Sequence, residues 1–274
     1  MSGAQPQSVG SYLYCVAYSQ SFTGSGSQFQ ATGVEGRPVR VITQGDLAAI
    51  VSDSPSDQYD VTLDNVRAHE AVVEEAMQRA DVLPVSYGTV AGSDQEVQER
   101  LLQAESETLR SQLEHVRNRV EMGVRALWEQ DALFAQIIAQ NSDIQALREQ
   151  IVGTTPEQTY DLRIQIGELT DAAIQHQREV DSAAILGELS PLAIETRTNR
   201  LITDMMIVNA AFLVDKSQMQ AFTERVNALR QASAGRVTFQ LAGPLPPYNF
   251  ISIVVHWATP NEAASEEPSD AVTQ

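Results

Sequence analysis

The chain has 274 residues, of which 43 % are apolar, and its 18 basic and 36 acidic side chains give a formal charge of −18. The length allows one or two domains with a sizeable core. The charge excludes binding driven by neutralised nucleic-acid phosphates and argues against docking on anionic lipid, so neither nucleic acid nor membrane is expected as a partner.

Residues 1–10 are polar, with no basic or apolar region of a secretory signal, and read as a disordered leader. Ser11–Tyr18 is aromatic and β-branched, the composition of a strand. A Gly/Ser/Gln loop covers 19–36. Pro38–Thr43 and Leu47–Ser52 follow as a hairpin turning at Gln44-Gly45-Asp46. Thr62–Ala80 is predicted helical, with Val66, Val73, Met77 and Ala80 on its apolar face. Val82–Val85 is a short strand that Pro84 places at an edge or end. Ser93–Gln112 is a second helix, opened by a Ser93/Glu96 capping box.

From Val116 to Trp128 the period changes to two. Val120, Met122, Val124, Ala126 and Trp128 alternate with charged residues, predicting a half-buried strand. Asp131–Ile151 is helical in two pieces. Thr155-Pro156 opens a long helix to Leu189, where Leu162, Ile166, Leu169, Ala173, His176, Val180 and Ala183 step by fours and threes. That is the seam of an antiparallel helical hairpin. Met205–Val214 reads as a buried strand, too short for the roughly 20 residues that cross a bilayer. Ser217–Gln231 is an amphipathic helix. Val237–Leu241 and Phe250–Trp257 are the last strands, and 259–274 an acidic tail read as disordered.

Strands interleave with helices without strict alternation, so the fold class is α+β. Two domains with ferredoxin-like sheets are expected, 11–113 and 114–258, meeting near Gln112–His115. The second carries the helical hairpin.

Motifs for chemistry are fragmentary. Gly24-x-Gly26 has Phe29 in place of the third glycine and no following helix, so the dinucleotide fingerprint fails. Lys216 follows Asp215, which excludes a phosphate-binding loop. His69-Glu70 has Val73 where a zincin needs its second histidine. His69, His115, His176 and His256 fall in four different elements and are read as surface or interface residues. Cys15 is the single cysteine and has no adjacent cation, so it reads as a buried, inert thiol in a reduced, cytoplasmic protein. No enzyme, cofactor or metal is expected.

Four stretches carry a resemblance: Tyr12-Leu13-Tyr14-Cys15-Val16; His69-Glu70 with Leu83-Pro84-Val85-Ser86-Tyr87-Gly88-Thr89; Val120–Trp128; and Asn209–Val214 followed by Gly243-Pro244-Leu245-Pro246-Pro247-Tyr248. In this order they resemble the gas vesicle protein F/L family over about residues 11–257. The resemblance implies two α+β domains and a non-enzymatic accessory or minor structural role in gas vesicles. It implies, as partners, the small hydrophobic shell protein, whose aggregation it would limit during nucleation, and other gas vesicle accessory proteins. Two segments then become candidate contacts: the arm stripe at Leu162, Ile166 and Leu169, and Pro246, Pro247 and Tyr248. Each also has a plain structural reading, as internal packing of the hairpin and as a stiff strand connection. The competing function is a small-molecule-binding or enzymatic α+β protein whose site is assembled from distant residues.

Overall fold

The computed structural model describes residues 10–155, 157–251 and 253, and these divide into two compact units. One runs through Arg117 and resumes at Pro246; the other is Asn118–Leu245. The α+β class and the two sheets are as expected. The expected domain ends differ, since the second unit closes at Leu245 and the chain from Pro246 belongs with the first. The acidic tail and most of the strand expected at Phe250–Trp257 lie outside the described residues; Phe250, Ile251 and Ile253 are not in a strand.

The first unit holds β1 (Gly10–Tyr18), β2 (Val39–Gln44), β3 (Leu47–Ser54), α1 (Leu63–Met77), β4 (Val82–Pro84) and β5 (Val90–Ala91). A short α2 (Asp94–Glu96) then runs into a π-helical stretch, Val97–Gln103, and α3 (Ser106–Val116) follows. The strand order is β2-β3-β1-β4, with β5 also paired to β1, and every pair is antiparallel. Gly10, expected in the leader, is the first residue of β1.

β1 is buried along nearly its whole length because both faces of the sheet are covered. Its register shifts between Leu13, opposite Val51, and Cys15, opposite Ile50. Tyr14 is the extra residue of a bulge, which breaks the alternation of faces. Tyr12, Tyr14 and Cys15 therefore all join the cluster under α1, while Leu13 and Val16 join the cluster under α3. A side chain on Gly33 would collide with the Tyr14 hydroxyl, 2.2 Å from the Cβ position, so the 19–36 loop needs glycine to close over this face.

The second unit holds β6 (Arg119–Trp128), α4 (Gln130–Gln140), α5 (Ser142–Ile151), α6 (Tyr160–Leu189), β7 (Glu195–Thr198), β8 (Met206–Asp215), α7 (Met219–Ala232) and β9 (Val237–Leu245). Its sheet is antiparallel in the order β7-β8-β6-β9. Both units thus place their second, third, first and fourth strands side by side, the ferredoxin-like arrangement. They differ in the connection from first to second strand. In the first unit it is the tight 19–38 loop of 3-10 turns; in the second it is α4, α5 and α6.

The alternation read in β6 holds: Val120, Met122, Val124, Ala126 and Trp128 face one core with Val208, Ala210, Phe212 and Val214 of β8. Val116 closes α3 rather than opening the strand, and Asn118 makes the turn with a φ of 54°. The Ser93 cap accepts from the Glu96 amide at 3.1 Å, but the Glu96 carboxylate reaches back to the Gly92 amide at 2.8 Å, one residue earlier than a capping box requires.

The seam expected on α6 is correct only in its first half. Leu162, Ile166, Leu169 and Ala173 are partly covered, but His176, Val180 and Ala183 are exposed, and the buried residues are Ile174, Asp181, Ile185 and Leu189. A step of 3.5 residues drifts by about 20° per heptad against a straight helix of 3.6. Over thirty residues the covered face moves away from the predicted one.

Asp181 is the polar anchor of that face. Its Oδ2 accepts from Trp128 Nε1 at 2.7 Å and from Arg236 Nη1 at 2.7 Å, and its Oδ1 accepts from Gln177 Nε2 at 3.1 Å. Arg178 lies over the Trp128 ring, 5.3 Å from its centroid, and donates to the carbonyls of Met206 and Asp204. Replacing Asp181 by alanine strands the buried Trp128 N–H and should cost about 3 kcal/mol, against about 1 kcal/mol for asparagine, which keeps an acceptor. Urea denaturation of the two variants measures this; equal losses below about 0.5 kcal/mol would contradict the anchoring role.

Candidate interaction surfaces

Three of the four stretches that carry the family resemblance contribute to one aromatic network in the first unit. β1 supplies Tyr12 and Tyr14, α1 supplies His69, the turn after β4 supplies Tyr87 and Gly88, and the segment after Leu245 supplies Tyr248. The Tyr12 ring lies 4.9 Å from Tyr14, 5.1 Å from Tyr59 and 5.7 Å from His69, centroid to centroid. Tyr12 Oη accepts from the Gly88 amide at 2.9 Å and lies 3.0 Å from His69 Nδ1. His69 Nε2 lies 3.2 Å from Tyr248 Oη. Tyr14 Oη accepts from the Val34 amide at 2.9 Å and lies 2.8 Å from Ser52 Oγ.

A neutral imidazole, with one donor and one acceptor, serves both tyrosine hydroxyls at once; an imidazolium would present two donors. Burial lowers the His69 pKa to about 4, although a backbone hydrogen bond to Val85 works the other way. Burial also holds the Tyr12 and Tyr14 hydroxyls and the Cys15 thiol above their ordinary values. The histidine read as a surface or interface residue is thus only 2 % exposed. The cue was its place one turn before Val73 on the same helical face. Cys15 is buried, as read.

The candidate contacts divide between the two units. Pro246 and Pro247 are buried, and Tyr248 is 38 % exposed with its hydroxyl directed to His69. The backbone turns there, Tyr248 N donating to the Pro246 carbonyl at 2.8 Å and Phe250 N to that of Pro247 at 3.0 Å. The motif therefore holds the returning chain against α1. Leu162, Ile166 and Leu169 lie on the N-terminal half of α6, partly covered, with Ile166 and Leu169 packed at the edge of the core. Beside them are apolar side chains that sequence reading passed over: Val152 is 79 % exposed, Tyr160 66 % and Ile164 45 %. Tyr160 and Ile164 are four apart on one helix and so stand one above the other.

Among the described residues no group of three or more His, Cys, Asp or Glu side chains is placed to hold a metal, and no helix is long and apolar enough to cross a membrane.

These features define a two-unit ferredoxin-like α+β protein with a packed aromatic network in one unit and, on the other, a helical arm that exposes a few apolar side chains. The chain belongs to the gas vesicle synthesis protein GvpL/GvpF family, whose model matches residues 10–252. It is similar to gas vesicle protein F of Streptomyces sp., 30 % identical over 243 residues that cover 89 % of this chain and 100 % of that one. It is also similar to gas vesicle protein L2 of Halobacterium salinarum, 27 % identical over 278 residues, covering 91 % and 96 %. In fold it matches the crystal structure of the gas vesicle protein GvpF from Anabaena sp., with a TM-score of 0.76, 24 % identity and coverage of 90 % and 100 %. The chain has a gas-vesicle-related role.

The His69 network has a pH signature. A folded pKa near 4 against 6.5 in the unfolded chain means that the unfolded state binds the proton first. The stability that goes with the neutral ring is full above pH 6.5 and is lost as the pH falls to 4, about 3 kcal/mol in all. Chemical denaturation across that window should show this loss, and His69→Gln, which keeps one donor and one acceptor, should flatten it. An unchanged slope in the variant would contradict the assignment.

Proposed function

We propose that this protein binds the hydrophobic shell protein of gas vesicles before assembly and limits its aggregation. The observation that supports this best is the exposure of Val152, Tyr160 and Ile164 on the helical arm of a chain with a net charge of −18. A partner that covers an aggregating apolar subunit must present apolar surface and still stay in solution. Exposed apolar side chains on the arm meet the first need; self-repulsion from the charge meets the second. Family membership supplies the organelle and hence the kind of subunit.

Contact through apolar side chains sets the salt response. Screening weakens charge-driven association, with a Debye length of about 3 Å at 1 M salt, and leaves apolar burial in place. Co-expression of the shell protein with this chain should raise the soluble shell fraction severalfold, and the two should co-purify at both 0.15 M and 1 M salt. An unchanged soluble fraction without co-purification would overturn the role. Recovery of the chain only as a stable part of the finished vesicle wall would replace it with a structural one.

A further inference from the structure

The helical arm encloses an apolar groove of about 380 Å³ between α4, α5 and α6. Its lining includes Phe134 and Ile138 from α4, Ile144 from α5 and Ile166 from α6, with Gly167 on one wall. Tyr160, Ile164 and Gly167 follow at helical spacing, so the exposed apolar row runs into this wall. Two arginines also line the groove from different helices, Arg148 on α5 and Arg163 on α6, and both are exposed.

In this acidic chain several arginines are paired and several are not. Acidic side chains outnumber basic ones two to one, and arginines such as Arg40, Arg110 and Arg225 sit on carboxylates. Among the described residues Arg148 and Arg163 have no carboxylate partner; Arg163 Nε donates to Thr159 Oγ1 at 3.1 Å. An apolar trough flanked by two guanidinium groups that no described carboxylate pairs fits one kind of occupant: an apolar helix with carboxylates along its edges. We infer that this groove is the docking site for such a helix of the partner subunit. The inference rests on the proposed function and deepens it by naming the surface and the chemistry recognised. The chain's own acidic tail fits poorly, because residues 259–274 contain Val272 as their single large apolar side chain.

Gly167 separates docking from folding. A Cβ there meets no atom within 4 Å, and leaving glycine raises helix propensity. Gly167→Trp should fill the groove with the urea midpoint unchanged or raised. The probe is a stapled helical peptide with leucines on one face and glutamates flanking them, compared with its lysine-flanked isomer. The full-length chain should bind the glutamate peptide at least tenfold more tightly than the lysine peptide. Gly167→Trp should lose that binding at least tenfold, and the Arg148→Glu/Arg163→Glu pair should reverse the preference. Equal affinity for both peptides, or undiminished binding by a folded Gly167→Trp variant, would overturn the inference. With the shell protein co-expressed, wild type should hold it soluble and Gly167→Trp should not. Equal holding by both leaves the proposed function standing and overturns the groove as its site; no holding by wild type overturns the function and the occupant together. A dimer of wild type that Gly167→Trp dissolves in sedimentation would show the groove to be a self-association surface and overturn the inference as well.

Discussion

The second unit depends on the carboxylate of Asp181. It accepts hydrogen bonds from Trp128 on β6, Arg236 before β9 and Gln177 on its own helix, and so fixes the C-terminal half of α6 to the sheet. A buried carboxylate is costly unless it is hydrogen-bonded, and here three donors reach it. The helix has 30 residues, about 45 Å at 1.5 Å per residue. The longest strands beneath it have 10 residues and span about 33 Å. With one end fixed, the other overruns the sheet. Every fully buried residue of α6 lies at or beyond Ile174. The N-terminal half packs on α4 and α5 instead, and two short helices do not cover all of it.

The two units show what that overrun adds. They share one strand order, and in each the connection from first to second strand covers one face of the sheet. In the first unit the connection is short, and Phe22 and Val34 close it over Tyr14 and α1. Nothing is left over, and the covered face becomes a network of tyrosines around a neutral histidine. In the second unit the same connection has grown into three helices. Its extra length carries the exposed side chains and the groove. The proposed docking surface is thus an elaboration of a connection, placed where added residues leave the sheet undisturbed.

How much of this was legible in the sequence follows from how local each cause is. The β6 strand was legible because one of its faces is charged and the period shows. The tyrosine bulge in β1 was not, because a strand buried on both faces has no alternation to break. β7 was missed because Glu195-Thr196-Arg197-Thr198 is a polar edge strand defined by its pairing to β8 alone. On α6 the pattern of threes and fours located Ile166 and Leu169 and then drifted off the true face, since the anchor that sets helix rotation is a polar residue outside any apolar count. Tyr12, His69, Tyr87 and Tyr248 each stood in a recognisable stretch, but their convergence is long-range: His69 and Tyr248 are 179 residues apart. Arg148 and Arg163 are brought to one groove only by the fold, which sets both beside Phe134, Ile138, Ile144 and Ile166.

Amide hydrogen exchange of the full chain, alone and with solubilised shell protein, tests the central claim most directly, because it reports where the partner sits without altering a residue. An occupied arm predicts slower exchange over α4, α5 and the N-terminal half of α6, with β1, β3 and α1 unchanged. Protection confined to the first unit, with the arm exchanging as fast as in the free chain, would contradict it.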